Sequence, residues 1–362
     1  MANFFSFFTK QLFPSYLGVD IGTTSLKIVE VEQGKQAPRL TNYALLESQG
    51  SLARANMAFQ TSSLKLFDQD IITFLRAALD RMKPNATNVI ASIPGFSAFT
   101  TVIDFPEMSD GELSQAIAFK AKQYIPLPIS EVAIEPIKVG SYEDARGIRY
   151  DQVLLVSVPK EHIKKYQKIF KEAGLSLGAL EIEGLSLARS AVGSDPTPTC
   201  VVDIGSRSTA IAVVAGGQLK LTTQSDFAGT SLTQALATSL NINPFRAEEM
   251  KRERGISGTG AQYELSTIMV PFLDAIIGEV RRAQFNYASQ FPSDPKVERV
   301  ILSGGGANLL GIDKYFGHQL GIPVVKANPF LRFEYAPPLE PLLPELNPLL
   351  CVALGLTLRE FS

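Results

Sequence analysis

Two cysteines and two histidines in 362 residues leave little room for several kinds of chemistry. Cys200 and Cys351 can build neither a disulfide framework nor a zinc site, and their scarcity fits a reducing, cytosolic compartment. With His162 and His318 they read as structural or incidental. Charge of one sign is missing as well: 34 Lys and Arg against 36 Asp and Glu leave a formal net charge of -2, so no strong field points to nucleic acid or anionic lipid. Apolar residues make up 45% and charged residues 19%, an ordinary globular balance. No apolar run approaches the length of a membrane span, and the N-terminus lacks the basic start and cleavage site of a signal peptide. A chain this long exceeds one compact core and suggests two domains.

Repetition, by contrast, is plentiful. "LGVDIGTTSLKIVEVEQG" (Leu17 to Gly34) returns as "CVVDIGSRSTAIAVVAGG" (Cys200 to Gly217), 183 residues later. Over the 16 positions from Val19 to Gly34 eight are identical, Asp20/Asp203 and Gly22/Gly205 among them. Residue frequencies alone would give about one identity. Each copy reads as a strand, a small-residue turn and a second strand, so two similar domains are expected.

The layout around the copies follows from periodicity and breakers. Strands are expected at Tyr16–Ile21, Leu26–Glu32 and "RLTNYALLE", then a helix over "FDQDIITFLRAALDRMK" that stops before Pro84. From Phe99 to Gly174 a β-α-β-β-α block reads as an inserted subdomain, its first helix starting at Ser109 or Asp110. "GSDPTPT" reads as a linker before the second copy. The second half repeats the plan, with a helix from Ser231, a long helix over roughly Tyr263 to Gln290, and the strand and turn "RVILSGGGANL". The Pro-rich stretch after it reads as irregular, and "LLCVALGLTLRE" as a final helix. The expected division is therefore 1–15 as a Phe-rich segment; 16–98, 175–198 and 346–362 as the first domain; 99–174 as the insert; and 199–345 as the second domain, with 230–295 its helical part. As a helix, the Phe-rich start would align Phe5, Phe8 and Leu12; docking on a membrane or partner and folding onto its own domain both stay open.

The turns carry the chemistry. The backbone N–H groups of Gly22, Thr23 and Thr24, with the nearby hydroxyls, form a concave donor set suited to an anion. Lys27 adds a positive charge, whereas Ala210 stands at that place in the second copy. Asp20 and Asp203 would repel a polyphosphate unless Mg²⁺ lay between, held mostly through water. The bare backbone of Gly304, Gly305 and Gly306 could take a ribose or a flat ring, and the helix start beyond them favours phosphate. Glu279 and Arg282, three apart on one helix, are candidates for ribose hydroxyls and a base.

With those motifs the sequence resembles the actin/heat-shock-chaperone/sugar-kinase superfamily from Tyr16 to Phe361: "LGVDIGTTSLK" and "VVDIGSRST" resemble its two phosphate loops and "VILSGGGANLLG" its adenosine loop. "EIEGLSLARSAV" and "LLCVALGLTL" resemble its two connecting helices. The insert stands where the cell-division protein FtsA carries its own subdomain. "GVDIGTTSLKIVEVE", "YIPLPISEV" and "GLTLRE" are closer still to the PilM family of type IV pilus proteins. The resemblance implies an α/β fold of two actin-like (ribonuclease-H-like) domains flanking a nucleotide cleft. It implies ATP and Mg²⁺ as cofactors, with Ser206, Arg207, Ser208, Gly229 and Asn308 joining the cofactor-binding residues. Glu183, before the first connecting helix, would position the water of a weak ATPase. The expected role is a cytoplasmic scaffold, peripheral to the inner membrane, that grips the N-terminal peptide of PilN between the first domain and the insert. It would reach PilO indirectly, contact the pilus extension and retraction ATPases, and allow self-association. Ala118, Ala121, Lys122 and Ile125 are candidate groove residues, or else simply pack the insert. Two alternatives remain: an FtsA-like filament, disfavoured by the missing amphipathic C-terminal helix, and a small-molecule kinase, disfavoured by the missing acceptor-site carboxylate.

Overall fold

The structure, a computed structural model, describes residues 15–47, 68–256 and 262–361. Residues 1–14 of the Phe-rich segment therefore lie outside the described residues. In chain order the first domain opens with β1 (Ser15–Ile21), β2 (Ser25–Glu32), β3 (Arg39–Glu47), α1 (Asp68–Met82) and β4 (Asn88–Ile93). The insert follows with β5 (Phe99–Pro106), α2 (Asp110–Tyr124), β6 (Val132–Glu143) and β7 (Arg149–Pro159). Next come α3 (Lys160–Glu172), β8 (Ser176–Ile182) and α4 (Glu183–Leu187), which continues into a π-turn at Ala188–Val192. The second domain holds β9 (Thr199–Ile204), β10 (Thr209–Ala215), β11 (Gln218–Ser225), α5 (Gly229–Leu240), α6 (Pro244–Arg254), α7 (Gln262–Gln290), β12 (Arg299–Ser303), α8 (Ile312–Leu320) and β13 (Val324–Lys326). The Pro-rich stretch is less irregular than its composition suggests. It folds as short 3-10 turns and α9 (Leu343–Leu349), and α10 (Cys351–Leu358) is the last helix among the described residues.

The repeat is one of topology as well as sequence. One sheet runs β3-β2-β1-β4-β8 and the other β11-β10-β9-β12-β13. In both, the first three strands are antiparallel and the outer pairings parallel. Near-continuous apolar runs such as "TAIAVVA" make this possible, because β10 is buried along its whole length.

Two close approaches seat α10 in the first domain. A Cβ on Gly18 of β1 would stand 2.1 Å from the Ala353 carbonyl of α10, and one on Gly355 would stand 2.1 Å from the Ser186 carbonyl of α4. Any larger residue at these places would prise α10 from β1 and α4.

The insert is a three-stranded sheet, β5-β7-β6. One face, with Ile103, Phe105, Val153 and Leu155, packs against Ile117, Ala121 and Ile125 of α2. Glu112 closes that helix's N-terminus by accepting from the Ser109 N–H at 3.0 Å. The helix that follows the insert's sheet, α3, does not stay with it. Its Tyr166, Ile169 and Phe170 join Ile71, Ile72 and Leu75 of α1 over the first domain's sheet.

Candidate nucleotide cleft

The two copies of the turn face each other across a cavity of about 500 Å³ between the domains. The first turn closes with the Gly22 N–H donating to the Ser25 carbonyl at 2.9 Å, the second with Gly205 donating to Ser208 at 3.0 Å. A Cβ on Gly205 would stand 2.8 Å from that carbonyl, so the tight turn excludes a side chain. Gly22, Thr23, Thr24, Gly205, Ser206 and Ser208 all line the cleft. The Gly229 and Thr230 N–H groups donate to the Gly205 and Ser206 carbonyls at 3.0 and 2.7 Å, stapling the second turn to the start of α5.

Beneath the turns lies a buried charge cluster. Asp20 pairs in register with Lys27 across β1 and β2, and Lys27 Nζ stands 2.9 Å from Asp20 Oδ2. Ser92 of β4 donates to Asp20 Oδ1 at 2.8 Å, and Ser303 of β12 donates to Asp203 Oδ1 at 2.6 Å. Each acidic residue is thus anchored by a serine from the neighbouring parallel strand. Glu183, the first residue of α4, lines the cleft with them. Burial, then the nearby Asp20 and Asp203 carboxylates, push Glu183 well above the usual carboxylate range, while Lys27 and the Gly95 N–H pull the other way. Burial pushes Asp203 up as well, against Lys27 and the Ser303 hydroxyl. Burial by itself would lower Lys27, but Asp20, Asp203 and Glu183 hold it above the ordinary lysine value. Three carboxylates therefore share one ammonium, and burial with their mutual repulsion favours a bound proton on Glu183 and Asp203. Among the described residues no three His, Cys, Asp or Glu side chains are grouped to hold a metal by themselves.

The third loop also reaches the cleft, through Gly305, Gly306 and Asn308. Its glycines answer an internal demand. Gly304 has φ +80°, and a Cβ on Gly304 or Gly306 would stand 2.5 Å from the Ile204 carbonyl or 2.3 Å from the Ile204 side chain. The helical wall is supplied by α6. Glu248 pairs with Lys251 at 2.6 Å and accepts from Arg252 Nε at 2.8 Å, while Lys251 Nζ also donates to the Gly229 carbonyl at 3.1 Å and Thr233 Oγ1 at 2.9 Å. Arg252 then reaches across to Glu47 of β3 at 3.3 Å, linking the two lips. Glu279 and Arg282 do not line the cleft; on α7 they pair with each other, as residues three apart on a helix readily do. Arg207 and Gly304 are likewise not among the lining residues. The sequence reading missed Glu248, Lys251 and Arg252, although "EEMKR" has the i, i+3, i+4 spacing of a single helix face.

Residues 18–361 match the family described as type IV pilus assembly protein PilM. The chain belongs to the PilM family. Its fold is similar to that of a solved PilM-PilN type IV pilus biogenesis complex, with TM-score 0.78 and 24% identity over 96% of this chain and 98% of that one. The ethanolamine utilization protein EutJ from Carboxydothermus hydrogenoformans follows with TM-score 0.57 and 19% identity, covering 95% and 90%. MreB5 of Spiroplasma citri bound to AMPPNP gives TM-score 0.55 and 14% identity, covering 96% of each chain. Among curated proteins, the cell division protein FtsA of Enterococcus hirae is 23% identical over 329 residues, 82% of this chain and 74% of that protein. These likenesses show a two-domain actin-like fold, and the PilM family places the protein in type IV pilus assembly. No single helix among the described residues is long and apolar enough to cross a membrane.

Proposed function

We propose that the protein is an ATP-binding scaffold of the type IV pilus assembly platform, in which nucleotide sets the closure of two jaws. The observation that carries this reading is the paired turn: two donor-rich loops of one design face each other above three buried carboxylates and a single lysine. The donors suit phosphate, and the surplus of carboxylates suits a divalent cation arriving with it. MreB5, which shares the fold, is described as bound to AMPPNP. Asp20 and Asp203 would hold Mg²⁺, mainly through water. Bound there, the ion would neutralise the phosphates and polarise them. Lys27 would meet the phosphates from the first jaw, while Glu248 and Lys251 offer groups for ribose hydroxyls and Arg252 a flat cation for a base. Glu183, which lines the cleft, would orient a water for slow turnover at most.

The solved relative is described as a PilM-PilN complex, which supports PilN as partner; its N-terminal cytoplasmic peptide would be gripped between the first domain and the insert. Through it the protein would sit in the cytoplasm against the inner membrane and link PilN, and PilO indirectly, to the pilus motor ATPases. A titration with that peptide, with and without Mg-ATP, tests the role. Saturable binding supports it, and no binding in either condition removes it.

A further inference from the structure

The insert springs from the first domain, yet its tightest polar contact is with the second. Lys220 lies on β11, the edge strand of the second sheet, and is only 6% exposed. Its ammonium donates to the Val139 carbonyl of β6, pairs with Asp294 at 3.0 Å and stands 5.0 Å from the centre of the Phe291 ring. Both partners in this contact are residues that their own ladders skip. The β10–β11 register jumps from Val213/Leu221 to Val214/Leu219, leaving out Lys220. The β6–β7 register jumps from Lys138/Val153 to Gly140/Gln152, leaving out Val139. A bulge frees a backbone group from its ladder and re-aims the strand. Here one bulge offers a carbonyl and the other delivers a lysine to it.

The surroundings fit the same junction. Gln152 donates to the Gln290 carbonyl at the end of α7 at 3.0 Å. A Cβ on Gly140 would stand 2.6 Å from Gln152 Oε1, within the insert, and 3.4 Å from Lys220 Nζ, so a side chain there would press on the amide that reaches Gln290. On the apolar side Val139, Leu154, Val156 and Val158 share one hydrophobic cluster with Leu219 and Leu221. A buried ammonium with a carbonyl and a carboxylate as partners is costly to separate, because opening the junction would strand the charge or flood it with water.

We propose that the Lys220–Val139–Asp294 junction fixes the insert to the second domain, so that closure of the nucleotide cleft moves the insert against the first domain. This rests on the nucleotide reading above and adds a route from the cleft to the proposed partner groove. β11 is joined through β10 to the loop Gly205–Ser208, so a displacement of that jaw is carried directly to the junction. By linkage, a ligand held between the first domain and the insert would change nucleotide affinity by the factor that nucleotide changes its own.

Hydrogen exchange of the full chain with and without Mg-ATP tests it. In the wild type, bound Mg-ATP should change exchange of the amides over residues 132–143 by about 5-fold or more. In Lys220→Met, Mg-ATP should still bind within about 3-fold of wild type, while the nucleotide-dependent change at those amides falls below about 2-fold. If Lys220→Met does not fold, Asp294→Asn takes its place with the same readout. Wild-type amides that ignore bound Mg-ATP, or variants that keep the full response, would overturn the junction's role alone. A wild type that binds no Mg-ATP would remove the nucleotide reading and this inference with it.

Discussion

Asp203→Asn separates stability from function in a way the charge cluster dictates. The substitution keeps an oxygen for the Ser303 hydroxyl, which donates to Asp203 at 2.6 Å, and deletes one of three carboxylates that share Lys27. Burial and like charge push Asp203 upward in the nucleotide-free protein, so its ionised form works against the fold. Removing that charge should leave stability unchanged or raise it by about 1 kcal/mol, roughly 2–4 °C in a domain of this size. The same change removes a cation ligand, and loss of one ligand or its support typically lowers metal-dependent affinity about 10–100-fold. The assay is a thermal melt of the nucleotide-free protein beside a calorimetric titration with Mg-ATP. A variant that melts well below wild type yet binds Mg-ATP normally would refute the reasoning, since Asp203 would then be a structural acid.

Other outcomes follow from the same geometry. Gly205→Ala should weaken Mg-ATP binding and cost about 1–3 kcal/mol in melts, because its Cβ would stand 2.8 Å from the Ser208 carbonyl; unchanged melting would mean the turn relaxes freely. Glu47→Gln should speed release of a fluorescent ATP analogue by about 1.5–5-fold at low salt, the range of an exposed ion pair, with the difference fading at high salt; identical release at low salt would show that the lips are not linked. Glu183 gives a pH signature in metal-free, nucleotide-free protein. Its folded value lies above the ordinary 4.5, so its stabilising contribution is complete below that pH and is lost as pH rises through the raised value. Glu183→Gln should flatten that part of a stability profile, and a slope that survives the substitution belongs to another group.

Much of the fold was legible because the repeat is local. A strand, turn and strand within 18 residues carry their own periodicity and turn chemistry, and β1–β2 and β9–β10 stand where the copies predicted them. What resisted was contact between distant positions. Ser92 and Ser303 lie 72 and 100 residues from the aspartates they anchor, and nothing in their immediate neighbourhoods marks them as partners. Helix spacing identified a carboxylate–arginine pair on α7 but cannot say which helix faces a cleft; α6 does, with Glu248, Lys251 and Arg252. Likewise α3 follows the insert in sequence, but its apolar stripe of Tyr166, Ile169 and Phe170 fits the surface of α1. The three glycines at 304–306 were read as room for a ligand, whereas Ile204 demands at least two of them whatever the cleft holds.

The most direct measurement is a calorimetric titration of the wild-type protein with ATP, first with Mg²⁺ and then with EDTA. Two jaws sharing a metal-bound triphosphate require one saturable site per chain with Mg²⁺ and affinity at least about 10-fold weaker without it. Equal affinity in both conditions, or no binding in either, would contradict that arrangement.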